Sequence, residues 1–310
     1  MRVLVTGAAG FIGSHLCEGL LAEGHEVTGY DNLSEGSLEN LERARKSKKF
    51  AFVRGDILQE SKFAEACAGA GAVYHLAADP RVKESAEKPR VSFEQNVIGT
   101  FNVLEAARKK DVKHIIFTST STVYGDAKVI PTPEDAHIEA ISNYGASKLA
   151  GEYYIASYAH TYGIKGTALR YANIFGERAG HGVMRDFYFK LKANPDELEI
   201  LGDGKQDKSY LHVSDCVSAT LLAARKQKKV FDAFNVGSRE KHKVDEIAKL
   251  IAEHMNLQPK FKYVGGKRGW VGDVPLMLLS TGKIERQGWK PKIKFKEGLG
   301  RYLDWLGSSA

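Results

Sequence analysis

Through the first half of the chain, short runs of β-branched and other apolar residues alternate with longer stretches of helical periodicity. RVLVTG (2–7), HEVTGY (25–30), KFAFVRG (49–55), AVYHLAA (72–78), KHIIFTST (113–120) and IKGTALRY (164–171) read as strands. Between them, IGSHLCEGLLAEG and FEQNVIGTFNVLEAARKK place apolar residues at helical spacing. Strands that are apolar almost throughout lie buried on both faces, the condition of a parallel sheet covered by crossover helices. Right-handed crossovers then predict an α/β fold, a Rossmann doubly wound parallel sheet.

After about residue 172 this rhythm gives way to short strands, scattered helices and glycine-rich turns such as ILGDGKQ and YVGGKRGWVGD. The expected division is a doubly wound unit over 1–172 and a smaller mixed α/β lobe over 173–310, some of whose segments return to pack on the first. In KPKIKFKEG, lysines alternate with apolar residues, which predicts a half-exposed strand.

Composition narrows the class. The 310 residues carry 45 basic and 38 acidic side chains, a net charge of +7, yet no zinc finger, aromatic-basic RNA motif or basic helix accompanies the excess. Nucleic acid is not an expected partner; anionic small molecules suit the charge better. No apolar run approaches the roughly 18–20 residues of a membrane-spanning helix. MRVLVTGAAG enters a strand and a glycine turn directly, unlike a signal peptide, so a cytoplasmic location is expected. Cys17, Cys67 and Cys216 are scattered, as reduced thiols in a core would be, and His75 sits in an apolar run where packing is the expected role; no metal site is read.

Thr6-Gly7-Ala8-Ala9-Gly10-Phe11-Ile12-Gly13 follows the first strand and opens the first helix. Gly7 permits the tight turn, Gly10 lets a pyrophosphate approach the backbone, and Gly13 allows close packing of helix on sheet. Phe11 and Ile12 belong to the same cofactor-facing turn. The second strand ends in Asp31, eighteen residues past Gly13, the spacing of an acid that binds an adenosine ribose. A carboxylate there repels a 2′-phosphate, and Asn32-Leu33-Ser34 offer no arginine to welcome one, so NAD is expected rather than NADP. Asp56, at the end of the third strand, either hydrogen-bonds the adenine amino group or caps the next helix.

SNYGASK places Tyr144 and Lys148 four apart, on one face of a helix. A free tyrosine, with a pKa near about 10, is too weak a base at neutral pH. A neighbouring ammonium favours its phenolate and lowers that value.

TGAAGFIGSH, the acid of YDNLS, GDI, HLAA, NVIGT, STSTVYG, YGASK, LRYANIFG and GDGKQ occur in the order seen in extended short-chain dehydrogenase/reductases. Over nearly its whole length the chain resembles the sugar-nucleotide enzymes of that group, above all the UDP-glucose (UDP-galactose) 4-epimerases. The resemblance implies that Tyr144, Lys148 and Thr120 are catalytic. It places Asn32, Ser34, Ile57, Leu76, Ala77, Ala78, Asn96, Thr118 and Tyr171 along the NAD. It places Ser121, Asn173, Val183, Met184, Lys208, Tyr210, Arg268 and Asp273, together with Thr120 and Tyr144, on a UDP-sugar. Two positions depart from the family pattern: Lys208 stands where an arginine is usual, and Trp270 replaces the arginine of an Arg-x-Gly-Asp stretch. Arg268 either compensates or is solvated loop charge.

The implied reaction is proton removal from the sugar C4 hydroxyl with hydride transfer to NAD, rotation of the 4-keto sugar, and return of the hydride to its other face. Related 4,6-dehydratases carry an Asp-Glu pair after the catalytic threonine; here Ser121 and Thr122 supply no acid or base for elimination. The alternatives are a 4-epimerase of a UDP-N-acetylhexosamine or UDP-uronate, a nucleotide-sugar reductase, or a catalytically silent NAD-sensing protein on the same fold. The resemblance also implies a homodimer in which VSFEQNVIGTFNVLEAA and YGASKLAGEYYIASYA pair as a four-helix bundle; packing on the sheet alone would also account for their apolar residues.

Overall fold

A computed structural model describes residues 1–270 and 272–308. The six apolar runs form β1 (Arg2–Thr6), β2 (Glu26–Asp31), β3 (Phe50–Arg54), β4 (Ala72–His75), β5 (His114–Thr120) and β6 (Lys165–Tyr171). Later in the chain come β7 (Asn173–Phe175), β8 (Glu197–Ile200), β9 (Asp207–His212) and β10 (Phe231–Val236). The central sheet has seven parallel strands in the order β10-β6-β5-β4-β1-β2-β3, so a late segment returns to extend the sheet begun by the first half.

Helices α1 (Phe11–Ala22), α2 (Glu42–Arg45), α3 (Glu60–Cys67), α4 (Pro89–Ser92), α5 (Gly99–Lys109) and α6 (Asn143–Tyr162) connect these strands. Between α4 and α5 the chain widens into a π-helical stretch, Phe93–Ile98. Alternate residues of β1 serve opposite faces, as the two-residue period of a strand requires. Val3 and Val5 pack with Leu16 and Leu20 of α1, while Leu4 packs with Leu104 of α5 and Phe117 of β5. The chain leaves β1 towards β2 and β3, then reverses to β4, β5 and β6. That reversal opens a crevice at the carboxyl ends of β1 and β4, where doubly wound sheets bind ligands.

The remaining elements are α7 (Val183–Ala193), α8 (Val213–Lys226), β11 (Lys241–Lys243), α9 (Val244–His254), β12 (Lys260–Tyr263), β13 (Leu276–Met277), α10 (Gly282–Glu285) and α11 (Phe295–Ser308). α8 covers the α1 face of the large sheet through Cys216, Val217 and Ala223. A separate core of Phe187, Leu191, Leu198, Ile247, Ile251 and Leu303 holds α7, α9 and α11 with the small strands. Among the described residues no helix is long and apolar enough to cross a membrane.

Two expectations need correction. The strand expected over 72–78 stops at His75, because the amides of Leu76 and Ala77 turn onto the Thr6 hydroxyl, each at 3.1 Å. KPKIKFKEG forms no strand. The Asp215 carboxylate accepts the amides of Lys292 and Ile293 at 2.9 and 2.8 Å, and Phe295 begins α11. A buried carboxylate that satisfies successive N–H groups outweighs an alternating pattern with no ladder to join.

Candidate active site

The glycine turn is built as a cradle. Gly7 has φ +66°, and a Cβ there would lie 2.8 Å from the Ala77 nitrogen; one on Gly13 would lie 2.0 Å from the Gly7 carbonyl oxygen. Gly10 caps α1, leaving the helix's first amides to face the crevice. Asp31, buried at the end of β2, accepts the amides of Ala9 at 2.9 Å and Leu33 at 2.7 Å. Burial raises its carboxyl pKa, and the two N–H groups oppose that rise. With about four lone-pair sites on a carboxylate, acceptors remain for ribose hydroxyls. Asn32 donates to Asp56 at 2.9 Å, and Asp56 also accepts the Leu58 amide at 2.9 Å. Asp56 is therefore not the cap of α3, whose N-cap is Gln59. Ser34 is exposed beside this turn. Ile57 is buried, its side chain filling the space against Gly99 and its carbonyl taken by Asn102. The cradle, the acid and the uncharged Asn32-Leu33-Ser34 turn fit an NAD whose ribose carries free hydroxyls.

At the carboxyl end of β4, one hydrogen-bonded chain joins this cradle to α6. The Thr6 hydroxyl accepts two backbone amides, so its own proton goes to His75 Nδ1, 2.8 Å away. His75 is then the Nε2–H tautomer and donates to Thr100 at 2.9 Å, which donates to the Asn96 carbonyl at 2.6 Å. Burial, then the Lys148 charge, push the His75 pKa down to about 3, so the ring is neutral. The Asn96 amide accepts the Asp79 N–H at 2.7 Å and donates to the Asp79 carbonyl at 3.2 Å and Ser147 Oγ at 2.9 Å. Ser147 donates to the Tyr144 carbonyl at 2.7 Å. Asn96, expected along the cofactor, fastens α6 to the turn after β4 through both of its N–H groups and one lone pair of Oδ1.

Tyr144 and Lys148 lie in the first turns of α6, whose start is set by Ser142 accepting the Gly145 amide at 3.0 Å. Lys148 is 3% exposed, and its ammonium lies 4.4 Å from the centre of the Phe117 ring. Burial brings its pKa down to about 7, with Glu152 one turn on acting against the fall. Tyr144 is half-buried, its phenol pushed up to about 12 by burial and then by the Asp79 carboxylate, with relief from a hydrogen bond to Thr120. Thr120 Oγ1 accepts the Thr122 amide at 3.2 Å and the Thr122 hydroxyl at 3.1 Å, which leaves its own proton for the phenol or a ligand hydroxyl. Ser121 is half-buried next to it. Thr118 donates to the His75 carbonyl at 3.3 Å, and Leu76, Ala77 and Ala78 line the turn between the two strand ends.

The small lobe supplies a second cluster. Lys208 pairs with buried Asp273 at 2.5 Å and lies 5.3 Å from the Trp270 ring centre. Arg268 donates to the Asp273 carbonyl and pairs with Asp126 at 2.6 Å. Arg268 and Lys208 thus both meet Asp273, one at its carbonyl and the other at its carboxylate. Tyr210 is buried, its pKa raised by burial and by Asp273. Asn173 donates to the Ser209 carbonyl at 3.1 Å. Val183 begins α7, while Met184 is buried in the lobe's core, so only its backbone is open to a ligand. Tyr171 is likewise turned away from the crevice: its hydroxyl lies 2.6 Å from Thr220, within the α1–α8 core. A cavity of about 520 Å³ lined by His15, Glu18, Arg43, Glu177, Arg178 and Trp305 contains none of these residues.

The sequence reading assigned no hydrogen-bonding role to Thr6, Asp79, Thr100, Thr122 or Ser147, since spacing does not reveal which atoms their side chains meet.

A doubly wound sheet with a glycine cradle at its switch point defines a Rossmann-type dinucleotide-binding protein. Residues 3–237 match the NAD dependent epimerase/dehydratase family; the chain belongs to it, and NAD is its cofactor. The chain is 35% identical to the UDP-glucose 4-epimerase of Mycolicibacterium smegmatis, over 99% of this chain and 98% of that protein. A crystal structure of a UDP-galactose 4-epimerase superposes with a TM-score of 0.90 at 42% identity, covering 100% of this chain and 99% of that one. The UDP-glucuronic acid 4-epimerase of Bacillus cereus, solved with UDP-glucuronic acid and NAD, gives 0.92 at 27% identity, covering both chains completely. The protein is thus similar to nucleotide-sugar epimerases with different sugars.

A Gly13→Ala variant should lose most of its NAD, because the added methyl collides with the Gly7 carbonyl. Nucleotide released on denaturation should fall below about a tenth of the wild-type content, a deficit worth roughly 1.4 kcal/mol or more of binding. Wild-type content in a folded variant would contradict the cradle.

Proposed function

We propose that the protein interconverts UDP-glucose and UDP-galactose at the sugar C4 position. The observation that supports this reading is the hydrogen bond between Thr120 and the Tyr144 phenol, with Lys148 one turn further along α6 and with Ser121 and Thr122, rather than carboxylates, after Thr120. The Tyr144 oxygen takes the proton of the C4 hydroxyl while Thr120 holds that hydroxyl at transfer distance. Bound NAD supplies the hydride acceptor and donor at C4, and its positive ring favours the phenolate. Lys148 would hold the nicotinamide ribose of bound NAD and add its own charge to that of the ring. The 4-keto sugar turns over, and Tyr144 returns the proton once C4 has been reduced from the other face. With neither acid nor base at 121 and 122, water is not eliminated.

The small lobe grips the nucleotide in this reading. Lys208 and Arg268, both held by Asp273, are the cations offered to the nucleotide, with Tyr210, Asn173 and the first amides of α7 at Val183 and Met184 nearby. Lys208 presents a point charge in place of the usual arginine fork, which makes one contact rather than a bidentate pair.

The protein is further proposed to be a homodimer. Phe93, Phe101 and Tyr154 are 55%, 40% and 43% exposed along the α5–α6 face, with Phe101 and Tyr154 edge to face at 6.1 Å. Aromatic surface of this kind suits an α5–α6 pair meeting its twofold mate.

Without added reductant, purified protein should equilibrate UDP-glucose and UDP-galactose, as read from the anomeric protons by NMR. Tyr144→Phe should lower kcat by about 10²–10⁴ with little change in UDP binding; unchanged turnover removes Tyr144 from the mechanism. In sedimentation velocity, Phe101→Asp should shift dimer to monomer, and a wild-type monomer would overturn the assembly.

A further inference from the structure

Asp79 is a buried carboxylate that the reaction outlined above does not use. It is 6% exposed and stands just past the turn that follows β4. Both of its backbone groups are held by the Asn96 amide, which also holds Ser147 and through it the Tyr144 carbonyl. At the far end of the same segment, Ser85 Oγ accepts the Tyr144 amide at 3.3 Å and the Ser85 carbonyl accepts Asn143 Nδ2 at 2.8 Å. The segment 79–85 is therefore pinned at both ends to the first turn of α6. Within it, Asp79 Oδ1 accepts Arg81 Nε at 2.7 Å. Its second oxygen accepts no hydrogen bond from the described residues.

Charge at this point is negative on balance. Arg81 reaches Glu35 at 3.5 Å as well as Asp79, so one guanidinium is shared by two acids. The Arg81 charge is therefore divided between two acids and does not outweigh them. The Asp79 charge is felt at the Tyr144 phenol, whose pKa it raises. A fixed carboxylate with one open oxygen, on a segment fastened to the turn of α6 that carries Tyr144, favours a hydroxyl or N–H donor and opposes another anion.

We infer that Asp79 is a specificity residue: its open oxygen accepts a donor group of a neutral sugar, and its charge excludes sugars that carry a carboxylate. This rests on the reading of Tyr144 as the proton carrier, and it divides UDP-hexoses from UDP-uronates within that reading. Discrimination of about a hundredfold corresponds to ~2.7 kcal/mol.

The test measures kcat/KM for UDP-glucose and UDP-glucuronate with the NAD-loaded protein, and the affinity of both by calorimetry on the Tyr144→Phe background. Wild type should favour UDP-glucose by about a hundredfold. Asp79→Asn should raise the uronate-to-glucose ratio at least about tenfold, while Asp79→Glu, which keeps the charge, should preserve exclusion. Asp79→Ser stands in should the asparagine variant not fold. Wild-type preference for UDP-glucuronate, or a ratio unmoved by neutral substitutions at 79, overturns the inference. Should Tyr144→Phe remain active, the proton-carrier reading fails instead, and the two affinities still decide the role of Asp79.

Discussion

The buried ammonium of Lys148 is the constraint from which much of the architecture follows. A charge removed from water needs compensation, and here it comes from the Phe117 face and from Glu152 one turn along α6. Glu152 is itself buried and takes the Arg170 guanidinium at 2.7 Å together with the Ser119 hydroxyl. Arg170 then reaches Tyr124 at 2.7 Å, and Tyr124 donates to Asn235 of β10 at 2.8 Å. The polar chain thus runs from the site to the strand that returns late in sequence. The seventh strand closes a hydrogen-bonding circuit as well as an apolar core, and a network so connected is stable only when every member is present.

The same burial moves Lys148 and Tyr144 in opposite directions. By themselves, Lys148 loses its proton near 7 and the Tyr144 phenol only near 12. In the proposed mechanism the positive ring of bound NAD would favour the phenolate, so that one binding event would both supply the redox partner and prepare the base. The neutral His75 strut between Thr6 and Thr100 ties the cofactor cradle to α6, keeping the two halves of that preparation in register.

What could be read from the sequence was what local backbone geometry and apolar runs enforce. Gly7 and Gly13 follow from a turn and a close approach, and five of the six strands announce themselves because both of their faces are buried, while β3, at the sheet edge, shows in its β-branched and aromatic run alone. Asp31 was legible because the acid must fall at a strand end. The reading failed where long-range hydrogen bonds decide. Asp215 captures residues 77 and 78 positions away, which turned a plausible strand into the lead-in to a helix. Tyr171 carries a family motif position, yet its side chain is core, since β6 alternates faces and this residue points toward α8. Asn96 looks like a ligand contact in the motif NVIGT, but both of its amide N–H groups go to joining the turn after β4 to α6. Asp79 and Thr122 lay within quoted stretches or just beside them, and only the partners of their oxygens disclose what they do.

The central claim is that Tyr144 becomes a usable base only in the company of Lys148 and bound NAD. It is tested most directly by ultraviolet difference titration of phenolate absorbance, taken between wild type and Tyr144→Phe so that one tyrosine is isolated. The measurement is made with and without NAD, and repeated in Lys148→Met. The account predicts titration far above neutrality in the NAD-free protein, a fall of several units on NAD binding, and a smaller fall in Lys148→Met. A Tyr144 that titrates at the same pH in all of these states would contradict it.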